Sequence, residues 1–550
     1  LVLLAAVAAV PSAADSTEGG RAAAAPGDGG RGTGSGSYDP TAVDGIDALA
    51  NEVSVFQQWG RVGDVVAGVM DSKFCNNGDE IIPFLANPQT DHPFMVFNLF
   101  RLEDDRFEQI GQSWVKHTYG AADANGCGLG CQATPGSQSL GIGCSDIYNL
   151  NSNAAQTLMG PRSELDPWTG EFTFVGSHLD GHPGGGHNAI AHRLALHDDD
   201  LDDAQHPDAS FFSEFYIVVL DDVDHWNNLS WESVGVTGSP GSTWFFNVSG
   251  AATVGPALDA WPGSAQTVIP PVPVNDGRTV LAHKVTNNGD GTWHYEYALY
   301  NLDLGRGVGS FSVPVLPTTE VTNVGFHAVQ SAGEIFDNDP WTWIRAGSLL
   351  TWHTDPFSVD PSSNPLRWGT LYNFRFDADV PPVTSAATLG IYEPGTPDVF
   401  SGGAPAPASA TACAVPDGQE CDDGNACTAD DVCFSEYCSG TLAAPGEVSP
   451  PGSPQPLLFH SATALSWEPA PASCAASFRL YRASLQELEI GEYGCLVEAA
   501  ITTPGTSIGS EAPPSGVLWG YIATAVNVLG EGTLGDDSSG AERFPSSDCH

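Results

Sequence analysis

Short apolar runs separated by turn residues dominate the chain, and few stretches repeat with helical spacing. Residues 94–102, Phe-Met-Val-Phe-Asn-Leu-Phe-Arg-Leu, form a mostly apolar run of strand length, which predicts a buried strand. Residues 53–56 and 71–82 predict strands separated by a turn, and residues 172–175 and 211–220 predict two more. Residues 226–236 and 242–248 add further short strands, while 107–119 reads equally as strand or short helix. Residues 279–285 and 293–300 flank Thr286-Asn287-Asn288-Gly289-Asp290-Gly291, a hairpin signal in which glycine supplies positive φ. The runs at 311–315, 321–326, 349–353 and 368–376 continue at sandwich-like spacing.

The fold class expected is therefore all-β, a multidomain secreted protein with β-sandwich domains and a small disulfide-rich module. Residues 1–14 are an apolar stretch too short to span a bilayer, ending in small residues, as in a secretory signal peptide. Residues 15–38, rich in Gly, Ala, Ser and Asp, cannot bury enough apolar area to fold and read as a disordered leader. A β-rich domain is expected over 39–262 and a β-sandwich over 263–383, with a linker over 384–410. A disulfide-rich module over 411–442 and a last β-domain over 456–550 complete the chain.

Composition sharpens this picture. The 550 residues carry 18 Lys plus Arg against 67 Asp plus Glu, a formal net charge of −49. A surface of that sign repels phosphate, which excludes nucleic acid and anionic membranes as natural partners. No apolar segment after residue 14 is long enough for a membrane span, so no membrane insertion is expected. Twelve cysteines fit an oxidising compartment outside the cytoplasm, and the expected location is secreted, extracellular or cell-surface associated. Spacing does not fix their pairing.

Two resemblances cover 411–550. Pro416-Asp417-Gly418-Gln419-Glu420-Cys421-Asp422-Asp423-Gly424-Asn425-Ala426-Cys427 resembles a cysteine-rich module recurrent in secreted proteins of myxobacteria-like and other large-genome bacteria. Ser466-Trp467, Phe478-Arg479-Leu480-Tyr481-Arg482 and residues 519–527 resemble a fibronectin type III-like module. These resemblances imply export and modular construction, and no reaction. Residues 39–383 carry no family signature.

The densest chemistry lies at His178, His182, His187, His192, His197 and His206, with Asp180, Asp198, Asp199 and Asp200 among them. Neutral imidazole suits copper or zinc, and carboxylates suit calcium, so His178, His182, His187, His192, His197, Asp198 and Asp200 are the expected metal ligands. No HExxH spacing is present. Calcium is expected at one of three acidic places: the run 198–203, Asp221-Asp222-Val223-Asp224, or Asp422, Asp423, Asp430 and Asp431. Lys116-His117-Thr118-Tyr119 offers a base and an acid on one strand face, and Arg101 could clamp an anionic substrate group, giving His117, Tyr119 and Arg101 as the catalytic expectation. Trp341 and Trp343 alternate, as a carbohydrate-stacking surface would. The leading functional expectation is an extracellular binding or structural protein, calcium-stabilised and contacting an extracellular polysaccharide or cell-surface component. The alternative is a secreted copper oxidoreductase, zinc hydrolase or polysaccharide lyase with its site in 39–262.

Overall fold

A computed structural model describes residues 43–181, 186–271, 276–316, 318–346 and 348–408, together with parts of 411–545. The fold is all-β and multidomain. The signal-like stretch and the leader lie outside the described residues.

Ten strands form the largest sheet of the first domain: β1 (Phe56–Val62), β2 (Val65–Met70), β3 (Phe94–Glu103), β4 (Arg106–Gln112), β5 (Val115–His117), β6 (Met159–Gly160), β7 (Leu194–His197), β8 (Ser210–Val218), β9 (Leu229–Thr237) and β10 (Phe245–Val254). Eight of them close an antiparallel ring in the order β3-β8-β9-β10-β1-β2-β7-β4, with β4 returning to β3. The segment 107–119, ambiguous by pattern, is therefore strand, because both sides of β4 have partners to pair with.

Two joins in the ring are thin. β10 meets β1 only at Phe245↔Gln57, and β7 meets β4 only at Ala195↔Gln112. At the second join a Cβ on Gly111 would stand 2.8 Å from the Ala195 carbonyl oxygen, so only glycine allows this approach. Along β3, Met95, Phe97 and Leu99 fill the barrel, whereas Phe94, Val96 and Phe100 face outward into a second apolar layer. The unbroken apolar run of this strand follows from burial on both faces.

That outward layer meets Val280, Ala282, Ala298, Tyr300 and Leu371 of the second domain. Here two five-stranded sheets stack. One runs Ala265–Ile269, Thr279–Asn287, Trp293–Asn301, Thr370–Ala378, Val321–Ala328; the other runs Thr342–Ala346, Leu349–His353, Val308–Pro314, Val383–Ile391, Val399–Ala406. Tyr295, Tyr297, Phe311, Trp352, Phe374 and Phe376 fill the space between them. The predicted hairpin is present, pairing Asn287 with Trp293. Residues 384–410, expected as a linker, instead supply most of two strands, because Ala387, Leu389 and Phe400 complete the sandwich core. Trp341 and Trp343 do not form one platform: Trp341 is buried against Phe326 and Phe374, and Trp343 is exposed.

Cys75 pairs with Cys127 and Cys131 with Cys144, fastening the Gly-rich loop over 126–143. Cys421 pairs with Cys438 in the small module. In the last segment, Trp467, Phe478, Leu480, Ile501 and Ala525 share one core. Among the described residues, no helix is long and apolar enough to cross a membrane.

Candidate functional site

β5 lies between β3 and β6, pairing His117 with Phe94 and Lys116 with Met159. His92, two residues before Phe94, is thereby brought beside His117, and His92 Nε2 lies 3.0 Å from His117 Nδ1. The Tyr119 ring stands edge-on to His92 at 4.8 Å. A Cβ on Gly160 would stand 3.1 Å from His117 Nε2 and 3.4 Å from Glu164 Oε2, so the missing side chain keeps those two groups facing common space. The Glu164 carboxylate also accepts from the His178 backbone N–H at 2.7 Å.

A second group of rings adjoins the first. Trp114 stacks on His192 at 3.8 Å and meets the edge of His178 at 5.0 Å, while His187 lies 4.6 Å from His192. Burial lowers the His92 and His192 pKa values to about 4. Burial lowers His117 further, with His92, Lys116 and His178 adding repulsion. Burial also brings Lys116 down to about 7, while its ammonium donates to the His117 carbonyl at 2.8 Å. Burial pushes the Tyr119 phenol upward. At neutral pH the His92–His117 pair is thus uncharged, one ring donating and the other accepting, an arrangement able to pass a proton.

Arg101 does not join this group, which corrects the expected catalytic trio. It sits seven residues along β3 from the position opposite His117, about 23 Å at the usual strand rise. There it binds Glu108 at 2.9 Å and Asp200 at 3.3 Å. Nearness in sequence to Lys116 misled, because an antiparallel chain carries such residues to opposite ends of a strand.

The expected metal set also divides. His178, His187 and His192 gather at Trp114, whereas His197, Asp198 and Asp200 lie at the far end of β7. His182 lies outside the described residues. His197 faces solvent at 4.0 Å from Asp64. Asp198 accepts from Arg61 at 2.6 Å, from Trp244 Nε1 at 2.7 Å and from the Gly241 N–H at 2.8 Å. Those bonds bridge β1 to the start of β10 at a thin join, so this carboxylate closes the barrel. Asp222 and Asp224 likewise cap backbone N–H groups, those of Ala48 and Trp226, both at 3.1 Å. Among the described residues, no group of three or more His, Cys, Asp or Glu side chains is placed to hold a metal ion. The gathered histidine rings meet edge to face, and the carboxylates are taken by guanidinium and N–H groups.

No protein-family model, curated protein or solved structure matches the chain. The roles of its residues rest on geometry.

Sequence reasoning missed His92, Glu164 and a cavity at the junction of barrel and sandwich. The cavity is lined by Arg162, Arg306, Arg367, Trp368, Tyr392 and Glu393, among others. Arg162 is spent on structure, donating to the carbonyls of Ser113 and Gly369 at 2.8 Å each and to Asn98 Oδ1 at 2.9 Å. The signal for His92 was the His-Pro step entering the strongest strand. The three arginines gave none, being far apart in the chain.

Proposed function

We propose that the protein is an exported, multidomain extracellular binding protein, in which barrel and sandwich act together and the C-terminal modules space or anchor them. The separation of Arg101 from His117 and Tyr119 carries this reading. The anionic-substrate clamp that a lyase or hydrolase was expected to use is committed to an ion-paired barrel end instead. The disulfides of the barrel domain fit an oxidising exterior. The partner class is an extracellular polysaccharide or cell-surface component.

The test is binding of the full chain to immobilised neutral and acidic polysaccharides, with metal content measured on the same preparation. Retention without turnover supports the reading; turnover of any retained polymer would replace it.

A second reading, a secreted enzyme, is favoured by one observation: His92 and His117 hold a shared hydrogen bond within reach of Tyr119 and the Glu164 carboxylate. Under that reading His117 is the base and the reaction is proton abstraction, as in a polysaccharide lyase. A copper or zinc equivalent in the metal measurement would move the reading to a redox or hydrolytic enzyme.

A further inference from the structure

The outer face of the barrel where β10 meets β1 is uncharged. Residues 233–258, which end β9, form β10 and include the loop between them, contain no Asp, Glu, Lys, Arg or His, in a chain of net charge −49. Residues 53–60, which lead into and along β1, contain none either. These stretches expose two aromatic side chains, Phe245 at 65% and Trp59 at 37%. Phe246 stacks on Phe56 of the barrel core at 3.9 Å, so strand alternation turns Phe245 and Asn247 outward. Register places Phe245 between Gln57 of β1 and Thr237 of β9, with Gly235 opposite Asn247. Trp59 follows two residues after Gln57, at the bulge between Gln58 and Gly60, and is a diagonal neighbour of Phe245. Such neighbours stand about 7–8 Å apart, within reach of aromatic rings.

This platform is fixed from beneath. Buried Trp244, next to Phe245, donates its backbone N–H to Gln58 Oε1 at 2.8 Å and its indole N–H to Asp198 at 2.7 Å. Arg61, the nearest charged residue along β1, is already paired with that Asp198 and with the Ser242 carbonyl. A Cβ on Gly235 would meet only Asn247, at 3.8 Å, so the surface above that position is open. Side chains carried on a braced sheet lose little freedom when a ligand settles on them.

We propose that this face binds a neutral polysaccharide, its sugar rings stacked on Phe245 and Trp59 and its hydroxyls bonded by Gln57, Asn247 and Thr237. The inference rests on the binding-protein reading and names its surface and ligand class. A sugar ring has an apolar C–H face and a rim of hydroxyls, and aromatic rings set among amides and hydroxyls match both. A stable protein partner would need about 800 Å² on each side with an apolar centre, whereas the apolar area here is two rings among polar side chains. Charge selects among glycans. A chain of −49 repels uronate and sulfated polymers, while a neutral polymer meets an uncharged surface that supplies its donors and acceptors.

Isothermal titration of the full chain with cellohexaose, laminarihexaose, xylohexaose and polygalacturonate tests it. Saturable one-to-one binding of at least one neutral hexasaccharide is expected, about ten-fold or more tighter than polygalacturonate and unaffected by added salt. Phe245→Ala and Trp59→Ala should each weaken it about five-fold or more, as truncation of an aromatic anchor does. Asn247→Ala, away from the join, should weaken it less and guards against loss of fold in the first two. Absence of neutral hexasaccharide binding, tighter binding of polygalacturonate, or unchanged binding by the Phe245→Ala, Trp59→Ala double variant would overturn the assignment. A dimer in sedimentation velocity that the double variant abolishes would also overturn it, giving the face to a second copy. If neutral polysaccharide is retained equally by wild type and double variant, the surface assignment falls and the binding-protein reading stands; if no polysaccharide is retained, both fall.

Discussion

The Asp198 carboxylate accepts from the Trp244 indole at 2.7 Å and from Arg61 at 2.6 Å, and this pair of bonds fastens a barrel join that has a single backbone pairing. Asp198→Ala leaves the buried indole N–H and the Arg61 charge without their acceptor. A loss of about 3 kcal/mol is expected, measured by urea unfolding. Chelator should shift the unfolding midpoints of wild type and variant equally. A chelator effect confined to the wild type would restore Asp198 as a metal ligand.

Tyr300 of the sandwich donates to Glu214 of the barrel at 2.5 Å, and Asn98 donates to the same carboxylate oxygen at 2.9 Å. Tyr300→Phe removes one donor from a carboxyl fully buried between the two domains. The expected loss is about 1–3 kcal/mol with a single unfolding transition retained. A variant as stable as the wild type would show that this bond contributes nothing at the junction.

Acid stability tests the imidazole pair. His92 has a folded pKa of about 4 against an ordinary value of 6.5, so between those values the unfolded chain binds the proton more readily. Stability therefore falls as pH drops from about 6.5 to about 4, and His92 accounts for about 3 kcal/mol of that fall. Asp222 works in the opposite sense. Its pKa is raised from 3.8 to about 7 by burial and by Asp47, so its contribution is present below about 4 and lost as pH rises through 7. His92→Gln should lessen the acid-side loss, and Asp222→Asn should lessen the loss toward neutral pH. Stability curves parallel to the wild type from pH 4 to 8 would contradict both assignments.

Reduction should act locally. Cys131–Cys144 closes a loop of 13-residue separation, and Cys421–Cys438 one of 17. Each closure is worth about 3 kcal/mol. Limited proteolysis in reductant should cut first within 411–442 and then within 126–143, with barrel and sandwich strands surviving longer. An unchanged digestion pattern would show that packing alone holds these segments.

The strands were legible where their burial was uniform. The apolar run of β3 and the Asn-Gly-containing hairpin announced themselves because local chemistry alone decides them. Closure of the barrel was not legible, since it depends on Phe245 meeting Gln57 and Ala195 meeting Gln112 across long stretches of chain. The histidine-rich segment was read as one constellation, yet a four-residue strand carries its later members away from the earlier ones. His192, with φ at +67°, marks the turn that aims its ring at Trp114 before that strand begins. Arg306 and Arg367 gave no signal in the sequence, since only the folded sandwich brings them to one cavity.

The two thin joins have a dynamic consequence. β1, β2 and β7 are hydrogen-bonded to one another along their lengths but to their neighbours through one pairing on either side. The barrel is thus a five-strand wall, backed by the sandwich, with a three-strand door. Elements bounded by so few backbone pairings open at a lower free energy than the whole domain once the Asp198 clasp on Arg61 and Trp244 lets go. Amide hydrogens at the edges of the door should exchange before those of β3 and β8, and the interior lined by Phe97 and Phe215 should meet solvent from that side first.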